Sequence, residues 1–201
     1  MESVLKYRGF SLAELLIVLS LIGIFVLFYT SNLSGSQRQQ EFENFAREVF
    51  QLLEMCRWKA LNQRVYAGAF LQESGNVYYA SLHLDGNGNG IRTAEVQSGT
   101  DFSVYGPVRL QKASGDIHPG ILSSIPEIPP GTGWLQGGSD PVKFGKSNII
   151  SFSPNGDSSS GTLYLACGSQ QQMFAVVVYG ATARMTLWKY NNNKWQMVGD
   201  R

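Results

Sequence analysis

An α+β fold, with a long amino-terminal helix packed on an antiparallel β-sheet domain, is what the sequence predicts, and three features predict it. An apolar block of 21 residues runs from Phe10 to Thr30, an amphipathic stretch follows it, and from Val65 onward short apolar runs alternate with Gly and Asn. The 201 residues carry 16 Lys and Arg against 15 Asp and Glu, a net charge of +1, so no strongly basic or acidic partner is implied. With 43% hydrophobic residues, 15% charged and 22 Gly, the chain is a folded body rich in loops, not a disordered tail.

The apolar block FSLAELLIVLSLIGIFVLFYT holds one ionisable side chain, Glu14. As a helix rising about 1.5 Å per residue it reaches roughly 30 Å, enough to cross a bilayer. Lys6 and Arg8 precede it, which keeps the amino end in the cytoplasm and sends the rest across. No small-residue cleavage pattern follows Tyr29, Thr30 and Ser31, so this is not an ordinary secretory signal. Glu14 conflicts with a plain membrane anchor, because a carboxylate inside an apolar helix costs a few kcal/mol unless it is paired. Lys6 and Arg8 offer a snorkelling contact, while a free amino group on a second subunit is the better partner.

The run GFSLAELLIVLSLIGI, residues 9–24, resembles the leader and helix start of type IV pilins and type II secretion pseudopilins. The resemblance implies cleavage by a prepilin peptidase between Gly9 and Phe10, methylation of the new Phe10 terminus, and an assembly role for Glu14 opposite a neighbour's amino terminus. Removing leader residues 1–9 takes away Glu2, Lys6 and Arg8 and leaves equal numbers of acidic and basic side chains.

Residues 31–63 are expected to continue the stem as an amphipathic helix. The Ser- and Gly-rich segment 31–37 predicts a bend, with Ser36 and Gln39 as a capping box for a renewed helix. Beyond it Phe42, Phe45, Ala46, Val49, Leu52, Leu53, Cys56 and Ala60 recur at three and four spacing, a stripe suited to carrying the body of the protein. Trp58 and Met55 fall beside the stripe.

Residues 64–201 form the expected β-rich domain. Strands are predicted at 65–72, 77–84, 101–110, 148–153, 162–167, 173–179 and 183–190, with turns at 73–76, 154–161 and 190–194. Residues 111–147 hold five of the seven Pro and lack periodicity, and are read as an irregular insertion. Ile121, Leu122, Ile125, Ile128, Trp134 and Leu135 make it apolar enough to pack on its own sheet or on another subunit.

Two stretches narrow the resemblance. LDGNGNGIRTAEV at 84–96, and an FxPxGxxxxG hairpin carried by Phe152, Pro154, Gly156 and Gly161 ahead of the closing strands, are similar to the GspH/FimT family of minor pseudopilins and pilins. That likeness implies a pilin-like, two-sheet domain in the periplasm, held in the inner membrane by a single helix. It implies a structural subunit of a type II secretion pseudopilus, with other pseudopilins or pilins in a filament as partners. A type IV pilus subunit active in assembly or DNA uptake, and an anchored ectodomain with a binding or enzymatic role, are the alternatives. Nucleic acid is not the expected partner, because the GRxR pattern of DNA-binding relatives is matched only by Arg184, and the processed chain is neutral.

Asp85, Asn87, Asn89 and Gly90 begin like a calcium loop, yet the twelfth position is Val96 and Glu95 stands one residue early. That ending favours a Gly- and Asn-rich turn and no cofactor, with weak calcium binding through Asp85, Asn87 and Asn89 as the alternative. Cys56 and Cys167 either oxidise to a disulfide or remain buried thiols. No GxSxG, Walker, HExxH or CxxC pattern occurs, and His83 and His118 lie far apart in sequence. Only the fold could bring Asp101, Asp116 or Asp140 together for acid and base work, so no enzyme is expected.

Overall fold

The computed structural model describes residues 11–112, 115–169 and 171–200, with the side chains of 26–36 excepted. Two units divide it, the first ending at Gln40 and the second beginning at Glu41. Helix α1, Leu12–Gln63, starts in the first and ends in the second.

In the first unit α1 is built from Leu, Ile, Val and Ala and shows its apolar side chains on every side, with Leu12, Ile17, Ile22 and Phe25 all exposed. The helix continues through residues 31–37, so the bend expected there is replaced by helix, and Ser36 lies inside an element instead of capping one. Propagating an existing helix adds a hydrogen bond for each residue fixed, which outweighs the weak propensity of Ser31, Ser34, Gly35 and Ser36. Among the described residues, no helix is long and apolar enough to cross a membrane. Of the block Phe10–Thr30, Phe10 and the side chains of 26–30 lie outside the described set.

In the second unit α1 buries Phe42, Phe45, Ala46, Val49, Phe50, Leu53, Cys56 and Ala60. This is the predicted stripe, with Phe50 added to it and Leu52 packed at the margin. Beyond Gln63 the chain turns at Arg64, in the left-handed region, into the first strand.

Four strands, β1 (Ala67–Ser74), β2 (Val77–Leu84), β3 (Phe102–Arg109) and the later β8 (Ile149–Phe152), make an antiparallel sheet in the order β3-β2-β1-β8. Between β2 and β3 sits a short helix, α2 (Thr93–Ser98), where the sequence had predicted only a hairpin connection. The second sheet runs β12-β11-β10-β9-β4, using β4 (Ile117–Pro119), β9 (Gly161–Cys167), β10 (Gln172–Tyr179), β11 (Arg184–Asn191) and β12 (Lys194–Asp200). Two-residue turns close β1 to β2 and β11 to β12. Both central residues have positive φ, Gly75 with Asn76 and Asn192 with Asn193, the geometry that matches strand twist. The closing strand β12 escaped the sequence reading because KWQMVGD buries only Trp195 and so shows no apolar run.

The main core joins α1 to the inner faces of both sheets, with Ala69, Leu71, Leu82 and Ile150 from one and Leu163, Leu165, Phe174, Val176 and Leu187 from the other. Phe42 meets Phe174 edge-on, ring centroids 4.9 Å apart, a contact worth about 1 kcal/mol beyond the area it buries.

The insertion 111–147 is not irregular throughout. It contributes β4, the small hairpin of β5 (Ile125–Pro126) and β6 (Trp134–Leu135), and β7 (Val142–Lys143), and both β4 and β7 pair with β9. Ile121, Ile125, Ile128 and Leu135 cover Tyr164, Ala166, Met173, Ala175 and Trp195 on the outer face of the second sheet. The indole N–H of Trp195 donates to the Pro126 carbonyl at 2.8 Å. β9 and β10 are thus covered on both faces, which is why LYLAC and MFAVVVY are continuously apolar instead of alternating. Trp134, expected among the packing residues, is exposed. Gly161 lets β7 pass close, since a Cβ there would stand 2.3 Å from the Lys143 carbonyl oxygen.

Candidate functional site

At the start of α1, Ser11 and Glu14 hold one another. The Ser11 N–H donates to Glu14 Oε2 at 2.9 Å, and the Glu14 N–H donates to Ser11 Oγ at 3.2 Å. This is a capping box, two orphan donors satisfied reciprocally, encoded by the S-x-x-E spacing of residues 11–14. It fixes the Glu14 carboxylate at the positive end of the helix dipole. Gly9 and Phe10, the expected cleavage and methylation positions, lie outside the described residues, as does the leader 1–9.

The turn after β2 gathers several polar side chains. Asp85 is buried, and its Oδ1 accepts the N–H groups of Asn87 and Gly88 at 2.9 and 2.8 Å while Oδ2 accepts that of Gly90 at 2.6 Å. Burial pushes the Asp85 carboxyl up, but hydrogen bonds from the backbones of Asn87, Gly90, Gly88 and Asn89 outweigh it and leave the group below its ordinary value. Asn87 Nδ2 and Asn89 Nδ2 both donate to Glu95 Oε1, at 3.1 and 2.8 Å. Asn87, Asn89 and Glu95 thus meet at one carboxylate oxygen, while Asp85 ties the same loop through its backbone N–H groups. Glu95, one residue short of the twelfth position, reaches the loop because α2 begins at Thr93 and turns residue 95 back toward it.

Arg184, the one match to a DNA-binding pattern, is engaged. Its Nε donates to Asp200 Oδ1 at 2.7 Å and its Nη2 to Asp200 Oδ2, a two-pronged pair joining β11 to β12. A guanidinium held by a carboxylate is a poor ligand for phosphate.

Cys56 and Cys167 both lie buried in the main core, with no disulfide between them. Cys167 Sγ approaches Asp116 Oδ2 at 3.5 Å. Burial pushes the Cys56 thiol far above its ordinary value, against smaller opposite effects of a backbone hydrogen bond and Lys59.

The other acidic residues are committed locally and apart. Asp101 accepts the Arg92 N–H at 2.9 Å, Asp116 the Ser169 N–H at 2.8 Å, and Asp140 the Val142 N–H at 2.9 Å. Ser81 Oγ and His83 Nε2 are 2.9 Å apart, and His83 Nδ1 is 3.1 Å from the Asp101 carbonyl oxygen. Neither Ser81 nor His83 lines the cleft of about 350 Å³ between α1 and β3, or the one of about 360 Å³ beneath the insertion, so the pair reads as a satisfied strand histidine.

A family model described as the prokaryotic N-terminal methylation motif matches residues 5–29. No curated protein and no solved structure matches the chain. The matched motif supports a type IV pilin-like protein anchored in a membrane, and it implies processing by a prepilin peptidase and pilin-like filament assembly.

Proposed function

We propose that the chain is a minor pseudopilin of the GspH/FimT type, a non-catalytic structural subunit of the periplasmic pseudopilus of a type II secretion system. The observation that carries this reading is the Gly9-Phe10 junction followed by Glu14 as the one ionisable side chain of Phe10–Thr30. Cleavage at that junction creates an ammonium group on each subunit. Pairing it with Glu14 of the next subunit removes the few kcal/mol that an isolated carboxylate costs within a bilayer and sets the axial register of neighbouring helices. The hairpin of Phe152, Pro154, Gly156 and Gly161 supports the narrower family assignment.

Arg184, held by Asp200, and the neutral processed chain disfavour the DNA-uptake pilin as the alternative. The test is the culture-supernatant proteome of a strain lacking the gene, complemented with the wild-type chain. Loss of secreted proteins and their return on complementation are expected. An unchanged supernatant, with pilus-dependent motility or DNA uptake lost instead, would overturn the secretion reading in favour of the pilus.

A further inference from the structure

The segment Asp85–Glu95 carries chemistry that filament assembly does not use. A calcium loop of the EF type takes side-chain oxygens from its first, third and fifth positions, a backbone carbonyl from the seventh and a carboxylate near its end, with glycine at the sixth for the sharp turn. Counting Asp85 as the first, Asn87 and Asn89 fall third and fifth, Gly90 sixth and Ile91 seventh.

The backbone has the wrap such a loop needs. Gly90 donates its N–H to Asp85 Oδ2 at 2.6 Å, and Asn89 donates its N–H to Asn87 Oδ1 at 3.2 Å. Gly90 has φ 88°, a left-handed conformation that glycine adopts without strain. Three side chains then meet at one point, because both Asn amides reach the same oxygen of Glu95. The other oxygen, Glu95 Oε2, is buried and has no hydrogen-bond partner. An orphaned carboxylate oxygen away from water is costly, and a cation is the group that would satisfy it. Turning the Asn89 amide by 180° exchanges its donor for an oxygen aimed at that point, while Asn87 Oδ1 keeps a second lone pair beside the one that takes the Asn89 N–H.

We propose that Asp85, Asn87, Asn89 and Glu95 form a calcium site that clamps the β2-to-α2 connection. Among the described residues, no group of three or more His, Cys, Asp or Glu is placed to hold a metal, so the soft or imidazole-rich sets that select transition metals are absent. Two carboxylates with two amides suit a hard, flexibly coordinated ion, and magnesium's demand for rigid octahedral geometry disfavours it. So small a charge count places the affinity among extracellular modules, on the order of 10⁻⁴ to 10⁻³ M. This inference does not depend on the secretory reading and fails or stands separately from it.

The test titrates calcium chloride into the full chain in detergent micelles after chelator treatment, followed by calorimetry and by melting temperature, with magnesium chloride in parallel. One calcium per chain is expected, with a rise in melting temperature that magnesium does not reproduce. Glu95→Gln keeps an oxygen for the Asn amides but loses the charge, and should weaken binding at least tenfold; Asn89→Asp adds a charge and should tighten it severalfold. No heat and no melting shift at about 10 mM calcium, a concentration well above that affinity range, would overturn the proposal. So would unchanged affinity in either variant. The Asn89→Asp gain keeps the test decisive if Glu95→Gln does not fold.

Discussion

Lys189 Nζ stands 2.6 Å from Glu43 Oε1, tying β11 to the buried half of α1 across 146 residues of sequence. The ammonium is also 5.5 Å from the Phe174 ring centroid, so the charge rests on the aromatic pair that anchors the helix. A second lysine, Lys112, in the connection after β3, reaches Glu48 of the same helix at 2.8 Å. A strand of the second sheet and a loop after the first thus each hold α1 by an ion pair.

The two pairs should differ in strength because they differ in exposure. Lys189 and Glu43 are 15% and 35% exposed, whereas Lys112 and Glu48 are 28% and 59%. Lys189→Met should destabilise the chain by about 1.5 to 3 kcal/mol, the range for a hydrogen bond to a charged group. Lys112→Met should cost under about 1 kcal/mol. Thermal denaturation in micelles would check both, and equal effects would contradict the packing described.

Trp195 should control the insertion. Replacing it with Phe removes the donor to the Pro126 carbonyl and leaves the ring's packing largely in place, a loss of about 1 kcal/mol. Hydrogen exchange within 117–135 should quicken while exchange in β1 and β2 stays as it was.

Cys56 should be chemically silent in the folded chain. The thiolate is the reactive form, and burial holds this thiol protonated well beyond neutral pH. Iodoacetamide at pH 8 should leave it unmodified until denaturant is added, with modification following the unfolding curve. Ready alkylation of the native chain would show that the core around α1 is open.

Glu14→Gln should leave membrane insertion intact and impair incorporation into filaments. The amide keeps an oxygen for the Ser11 N–H, so the capping box persists while the charge that would meet an amino terminus is lost. Fractionation of membranes against sheared filaments separates the two effects, and normal incorporation of the variant would be contrary to the role assigned to Glu14.

The class of fold and the strand positions were legible because local rules carried them. Alternation and apolar runs placed β1 to β3 and β8 to β11, and Gly75-Asn76 and Asn192-Asn193 placed two hairpins. What escaped depended on distant partners. The insertion gains its order from the outer face of β9 and β10, which no local pattern in 111–147 reveals. β12 buries one residue, so only its pairing with β11 makes it a strand. At the candidate sites Glu14, Asp85, Asn87 and Asn89 were visible as residues out of place or regularly spaced. Glu95 and the capture of Arg184 by Asp200 needed the fold, because a helix start and a strand register decide where those side chains go.

The most direct measurement is mass spectrometry of the amino terminus of the chain isolated from membranes. The account predicts that residues 1–9 are absent and that the chain begins with N-methylated Phe10. A terminus still at Met1 would contradict it, because the amino group that Glu14 is proposed to meet would then never form.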